Sequence, residues 1–320
     1  MDVLEHLLRA PPPHATVQDL RAWFARLNEC PFELPIDRSL WSGFEADRLG
    51  YAFIGGYHGA LSRLFMREAE HLGTTAERPY PWPAREERLS LAATEVGGAH
   101  PRAIQTVLVN EHGKLVVRGE KTFATLASVA DELLVVVSRG PDIDGKNRLA
   151  IVRVRRDASG VSIEDRPPTP FAPEIPHARV KLVDVEIDTE DVLPGEGYTT
   201  YLKPFRTVED IHVLGATLAH VIGSARAHGF AHALTEGAAA LVISLRALTA
   251  RSPSDAIVHV ALAGVFAAAE HLMNAHAAEW SKAPAAIRER WQRDQPLLLV
   301  ASQLREQRTA RAWRQLTSSS

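Results

Sequence analysis

Residues 91–137 read LAATEVGGAHPRAIQTVLVNEHGKLVVRGEKTFATLASVADELLVVV, and the fold turns on how they are parsed. Apolar and polar residues alternate with a period of two on both sides of Glu111-His112-Gly113, the pattern of strands joined by a turn. Two short polar signatures, Thr94-Glu95-Val96-Gly97-Gly98 and Lys121-Thr122-Phe123-Ala124-Thr125, close these alternating segments. Working outward, nearly everything before this stretch has helical spacing. So does nearly everything after about Thr207.

The β-type period extends from Leu89 to about Leu202. Ile104–Val109, Leu115–Arg118, Leu133–Val137, Leu149–Val154, Val161–Glu164 and Val180–Ile187 are strand candidates bounded by Gly, Pro, Asp and Asn. Residues 165–176 (DRPPTPFAPEIP) form a proline-rich loop expected to close over something or to connect sheets. Upstream, Pro11-Pro12-Pro13 ends a short first helix, and Thr16 is the expected N-cap of a second. A third helical stretch runs from near Leu40 to Glu70, where Gly55, Gly56 and Gly59 permit close helix approach. Thr74–Pro83 reads as a linker. Downstream, helices are expected over Thr207–Leu234, Gly237–Leu248, from Pro253 at an N1 position to about Ser281, and over Ala285–Leu316 with a break near Pro296. The expected class is α+β: an N-terminal helical domain (1–88), a small central antiparallel β-barrel or sandwich (89–204) and a C-terminal four-helix bundle (205–320).

Composition excludes several classes of function. Charged residues make up 23% of the 320 and apolar ones 46%, the balance of a soluble globular chain. A formal net charge of −3 gives no reason to expect nucleic acid. One cysteine, Cys30, rules out an intrachain disulfide framework and a cysteine-based metal cluster. The N-terminus has neither the basic start nor the apolar core of a secretory signal, and no apolar run approaches the ~20 residues of a membrane helix. The expectation is a cytoplasmic protein without a membrane partner.

Four stretches in order carry a resemblance to the acyl-CoA dehydrogenase family. LAATEVGGAHPRAIQT resembles the family's Thr-Glu-Pro-Gly-x-Gly-Ser signature, and GEKTFATLASVADELLVVV its Gly-x-Lys-x-Trp-Ile-Thr-Asn run. ARVKLVDVEIDTEDVLPGEG is similar to the strand and turn leaving its β domain, and VLGATLAHVIGSARAHG to the small-residue helix opening its bundle. The resemblance implies FAD, with Thr94 and the loop Glu95–Ala99, including Gly97 and Gly98, lining the flavin. Phe123 stands where the family has Trp, Thr125 near the flavin N5, and His100 in place of a phosphate-binding Ser. Val96 and Leu126 replace the family's Pro and Asn.

The implied reaction is α,β-dehydrogenation of an acyl-CoA or related thioester, with Glu209 near one family position for the catalytic base. As an alternative role, Glu209 complements a helix start at which Thr207 and Asp210 read as a capping-box variant. The resemblance also implies an electron-acceptor flavoprotein and a homodimer or homotetramer. Two other readings keep the fold: a flavin-dependent oxidase or monooxygenase, and a binding or assembly protein that lost the base. His228 and His232, four apart on one expected helix, are read as non-metal residues. The arginines at 288, 290, 293, 305, 308, 311 and 314 read as a solvated basic face or, more sharply, as a site for cofactor phosphates.

Overall fold

The computed structural model describes residues 1–12, 16–71 and 88–318, with the side chains of 65–71 left aside. The expected linker Thr74–Pro83 lies outside the described residues, as does Pro13 of the triproline. The chain forms two compact units. One comprises residues 1–66, 170–174 and 205–320, and the other residues 67–169 and 175–204.

The second unit is a seven-stranded sheet. Its strands are β1 (Leu89–Ala92), β2 (Val107–Glu111), β3 (Lys114–Thr125), β4 (Glu132–Pro141), β5 (Asn147–Arg155), β6 (Val161–Asp165) and β7 (His177–Ile187). All six expected strands form, β2 starting three residues late because Pro101–Ala103 takes up a 3-10 turn. β1 is additional, and the sheet is mixed rather than purely antiparallel. β1 runs parallel to β4 from Leu89↔Glu132 to Ala92↔Val135, and β2 joins the same edge of β4 at Val107↔Ser138. Alternation along a strand reports its buried face but not its partner, so the parallel pairings were invisible to periodicity. Val117, Ala124, Leu133, Val135, Val152, Val180 and Leu182 are among the side chains of the unit's core.

The first unit is helical: α1 (Val3–Arg9), α2 (Leu20–Asn28), α3 (Pro35–Glu45), α4 (Leu49–His71), α5 (Lys203–His228), α6 (His232–Leu248), α7 (Ala256–Ala275), α8 (Ala285–Asp294) and α9 (Ser302–Thr317). Several boundaries differ from expectation. Asp19, not Thr16, caps α2 by accepting the Ala22 N–H at 2.8 Å. The long third stretch is two helices, α3 and α4. α5 begins at Lys203 behind a π-helical turn, Gly197–Leu202, so Thr207 lies inside the helix and caps nothing. Gly229, at φ +63°, separates α5 from α6 and puts His228 and His232 on different helices.

Val3, Leu7, Ile36, Leu40 and Phe44 share one core with Leu214, Leu218, Val242, Leu245, Val258 and Leu262. Helices from both ends of the chain therefore share an apolar core, and a second cluster gathers Leu49, Val221, Trp280 and Trp291. Gly56 makes the shared core possible, because a Cβ there would meet Val213 Cα on α5 at 2.8 Å. One sequence expectation is corrected here. α7 is long and apolar enough, by length and composition, to cross a membrane. Ala256, Val258, Leu262, Val265 and Ala269 bury one side of it in the helical unit, while only 22% of its apolar window is buried. The proline-rich loop also contributes here, since the Ala172 N–H donates to the buried Asp294 carboxylate at 2.6 Å.

Candidate functional site

The site grows from a break in the sheet. β1 and β2 share one edge of β4, and the chain between them, residues 93–106, loops out where that edge is unpaired at Val136–Val137. An unpaired buried carbonyl costs free energy comparable to a lost hydrogen bond. Lys121, fully buried on β3, closes the gap: its Nζ donates to Val136 O and to Glu95 Oε1, both at 2.5 Å. The Glu95 carboxylate also accepts from Gln105 N (2.7 Å), Thr106 N (3.1 Å) and Thr106 Oγ1 (2.7 Å). Burial raises the Glu95 carboxyl, but Lys121, Gln105 and Thr106 more than offset this and hold it below the ordinary carboxylate value. Burial also pulls the Lys121 ammonium down to about 8 against the opposing pull of Glu95.

This buried pair anchors both ends of the loop. Glu95 N–H donates to Gly98 O (3.1 Å) and Gly98 N–H returns to Glu95 O (2.9 Å). Gly97 and Gly98 sit at φ +98° and +102°, a region that other residues rarely enter. The exposed Val96 caps the tip. Thr94 then pairs with Phe123 as an isolated antiparallel bridge, and Thr122 N–H donates to Thr94 O at 2.8 Å. The two threonine-bearing turns are thus adjacent.

Phe123, itself 38% exposed, stacks on His177 with ring centroids 4.3 Å apart and planes 25° from parallel. His177 opens β7, directly opposite Thr125, and its Nδ1 lies 3.2 Å from Thr125 Oγ1. Burial, aided by the nearby Arg166, lowers the His177 pKa to about 4, so the ring is neutral at pH 7. Arg166 places its guanidinium 5.6 Å from the centre of the Phe123 ring and donates to Thr122 O at 3.0 Å. Ser90 Oγ donates to Thr125 O at 2.7 Å. The result is a partly exposed aromatic platform edged by two hydroxyls and a cation.

Of the residues expected in the flavin lining, Thr94, Phe123 and Thr125 come together, and Gly97 and Gly98 form the loop tip beside Thr94. The Glu95 side chain does not face outward, because its oxygens are consumed by the buried network. His100 is exposed and accepts the Arg102 N–H at 3.2 Å, starting the 3-10 turn. Leu126 is buried at φ +66°, a left-handed position that suits Asn better than Leu. His177 and Arg166 were missed by sequence reasoning. The only signal was a lone His at the end of a proline-rich loop, at a register visible only once β3 and β7 are paired.

In the helical unit Glu209 has a side chain 19% exposed, with Arg206 3.4 Å away. Burial raises its pKa to about 7, with Arg206 pulling the other way. His212 and His220 are buried and neutral, their Nδ1 atoms 2.8 Å from Val208 O and 2.9 Å from Ala46 O. No group of His, Cys, Asp or Glu among the described residues could hold a metal. The arginine series is largely consumed internally. Arg290 pairs with Asp47, Arg293 with Asp294 and Glu174, and Arg305 and Arg308 with Asp210.

A mixed sheet with this loop is joined in sequence to helices on both sides. Residues 90–185 match the family model described as "Acyl-CoA dehydrogenase, middle domain". Among solved structures, the chain is similar to butyryl-CoA dehydrogenase from Megasphaera elsdenii, with 14% identity, 98% of each chain covered and a TM-score of 0.66. It is also similar to a putative acyl-CoA dehydrogenase from Mycobacterium smegmatis, at 16% identity, 99% of this chain and 96% of that one, and a TM-score of 0.62. A third similar structure is described as the FAD complex of PigA, at 12% identity, 91% and 88% coverage and a TM-score of 0.60. No curated protein sequence matches. Residues 90–185 therefore match that family's middle domain, and over its length the chain has the acyl-CoA dehydrogenase fold.

Proposed function

We propose that the protein is an FAD-dependent oxidoreductase of the acyl-CoA dehydrogenase type, acting on the CH–CH group next to the carbonyl of an acyl thioester. The observation that carries this reading is the Thr94–Phe123 bridge, which sets two hydroxyl-bearing turns beside an exposed ring platform. The donor set suits a flavin. Among the described residues the Val96 and Gly97 N–H groups have no acceptor, and no heavy atom outside residues 97–99 lies within 4 Å of the place a Gly98 Cβ would take. When bound, the flavin supplies a two-electron acceptor. The Phe123 and His177 rings would cover one part of it and exclude water, while Thr94 and Thr125 offer hydroxyl donors. With its proton on Nδ1, neutral His177 would donate to the Thr125 oxygen and leave the Thr125 proton free for the flavin.

Glu209 is the proposed base for the α-proton. A carboxyl near pH 7 is well matched to proton abstraction, which typically contributes about 10²–10⁴-fold to rate. On this reading activity rises with pH through about 7, as the carboxyl loses its proton. An electron-accepting flavoprotein and a homo-oligomeric state complete the proposal.

The Arg206 contact on Glu209 supports a second reading, a flavin-dependent oxidase on the same platform or a scaffold without the base. Anaerobic titration of the purified yellow protein with acyl-CoA separates them. Bleaching that is lost in Glu209→Gln with flavin retained supports the dehydrogenase. Insensitivity to thioesters with rapid oxygen turnover selects the oxidase, and failure to hold flavin selects the scaffold.

A further inference from the structure

A cleft of about 890 Å³ opens in the helical unit between α7, the 3-10 turn Gln295–Leu299 and α9. Its size is that of a small-molecule site. Phe266 and Met273 of α7, Leu299 of the turn and Trp313 of α9 line it. Leu299 is 62% exposed and Trp313 52%, so two large apolar side chains of the lining stand in water. Covering each of them recovers hydrophobic free energy that the chain alone leaves unused.

The charges select among occupants. Two arginines line the cleft, but neither is available to an anion. Arg308 bonds Asp210 and Thr207, while Arg305 bonds Asp210 and the carbonyls of Val300 and Leu298 and stacks over Phe266 at 4.2 Å. The acidic lining residues are Glu270 and Glu306, and neither has an ion-pair partner among the described residues. The Arg–Asp210 cluster leaves one net positive charge and the two glutamates contribute two negative ones, so the lining is net negative.

We infer that this cleft binds an apolar organic cation: a hydrophobic, ring-bearing body against Phe266, Met273, Leu299 and Trp313, with an ammonium group drawn to Glu270 and Glu306. The inference is independent of the flavin reading, since it uses only residues of the helical unit and is tested without any redox assay.

The test is calorimetric titration of the full-length protein with three probes of matched apolar area: 1-naphthylmethylamine, 1-naphthalenemethanol and 1-naphthoate. Two exposed carboxylates attract a cation and repel an anion, so the amine is expected to bind about tenfold tighter than the carboxylate. The alcohol is expected to fall between them. Glu270→Gln combined with Glu306→Gln is expected to bring amine and carboxylate within about twofold. Ala310→Phe places a ring in the cleft from an exposed helix position, where folding tolerates it, and is expected to weaken all three. Equal or tighter binding of the carboxylate, no binding of any probe, or binding unaffected by Ala310→Phe would each overturn the assignment.

Discussion

Replacing Lys121 with Met removes the charge that holds the break in the sheet together while keeping most of the side-chain volume. The consequence can be worked from the partners. Val136 O loses its ammonium donor and Glu95 loses its counter-ion, while the Glu95 bonds to Gln105 and Thr106 survive. Breaking a buried pair by removing one partner typically costs ~3–5 kcal/mol. Glu95 has a cheaper escape, which is to take up a proton. That costs about 1.4 kcal/mol for each pH unit above its ordinary value of 4.5, or roughly 3.4 kcal/mol at pH 7 and roughly 0.7 at pH 5. The lost bond to Val136 adds about 1 kcal/mol.

Urea unfolding of wild type and Lys121→Met, followed by circular dichroism from pH 5 to 7.5, is therefore expected to show a pH-dependent difference. The window stays below the Lys121 value of about 8, where the wild type would begin to lose its own ammonium proton. The destabilisation should be about 4 kcal/mol at pH 7 and fall to about 2 at pH 5. Adding Glu95→Gln should make the remaining loss independent of pH, since the amide has no charge to neutralise, while its NH2 takes the Oε2 place and loses the bond from Gln105 N. For Lys121→Met alone, a loss under about 1 kcal/mol at pH 7, or one independent of pH, would refute the view of Lys121–Glu95 as the keystone of this loop.

Three other outcomes follow from the same structure. The raised Glu209 pKa means the folded state prefers the protonated form, so its contribution is present below pH 4.5 and lost as pH rises through about 7. Glu209→Gln should match wild-type stability at pH 4 and exceed it by up to about 3 kcal/mol at pH 8, read from denaturant midpoints. Phe123→Ala should lower flavin affinity at least about tenfold while leaving the thermal midpoint nearly unchanged, because the ring is partly exposed. Gly56→Val should cost several kcal/mol or prevent folding altogether, about what overpacking against backbone imposes, since the Cβ would press on Val213 Cα.

Much of this was legible in the sequence because the signals are local. The switch from period two to helical spacing placed the strands, and the family resemblance marked Glu95–Ala99 as a loop. What escaped was set by partners distant in the chain. β1 is four residues long and shares its edge with β2, so nothing in Leu89–Ala92 marks it as a separate strand. Nothing in the sequence marks Lys121 as buried, and the hole left by the looped-out residues 93–106 explains its burial. His177 belongs to the platform because β7 pairs with β3 in a register no local pattern encodes. The misplaced α5 start has a similar cause: the chain enters through a π-helical turn at Gly197–Leu202, and Thr207 only imitates a cap.

The central claim is that the Thr94 and Phe123 turns form a flavin cradle, and the visible absorption spectrum of the purified protein tests it most directly. The account expects a yellow protein, or an apoprotein that takes up one equivalent of added FAD, with the bound flavin lost in Phe123→Ala. A colourless protein that binds neither FAD nor FMN when either is supplied in excess, while remaining folded by circular dichroism, would contradict it.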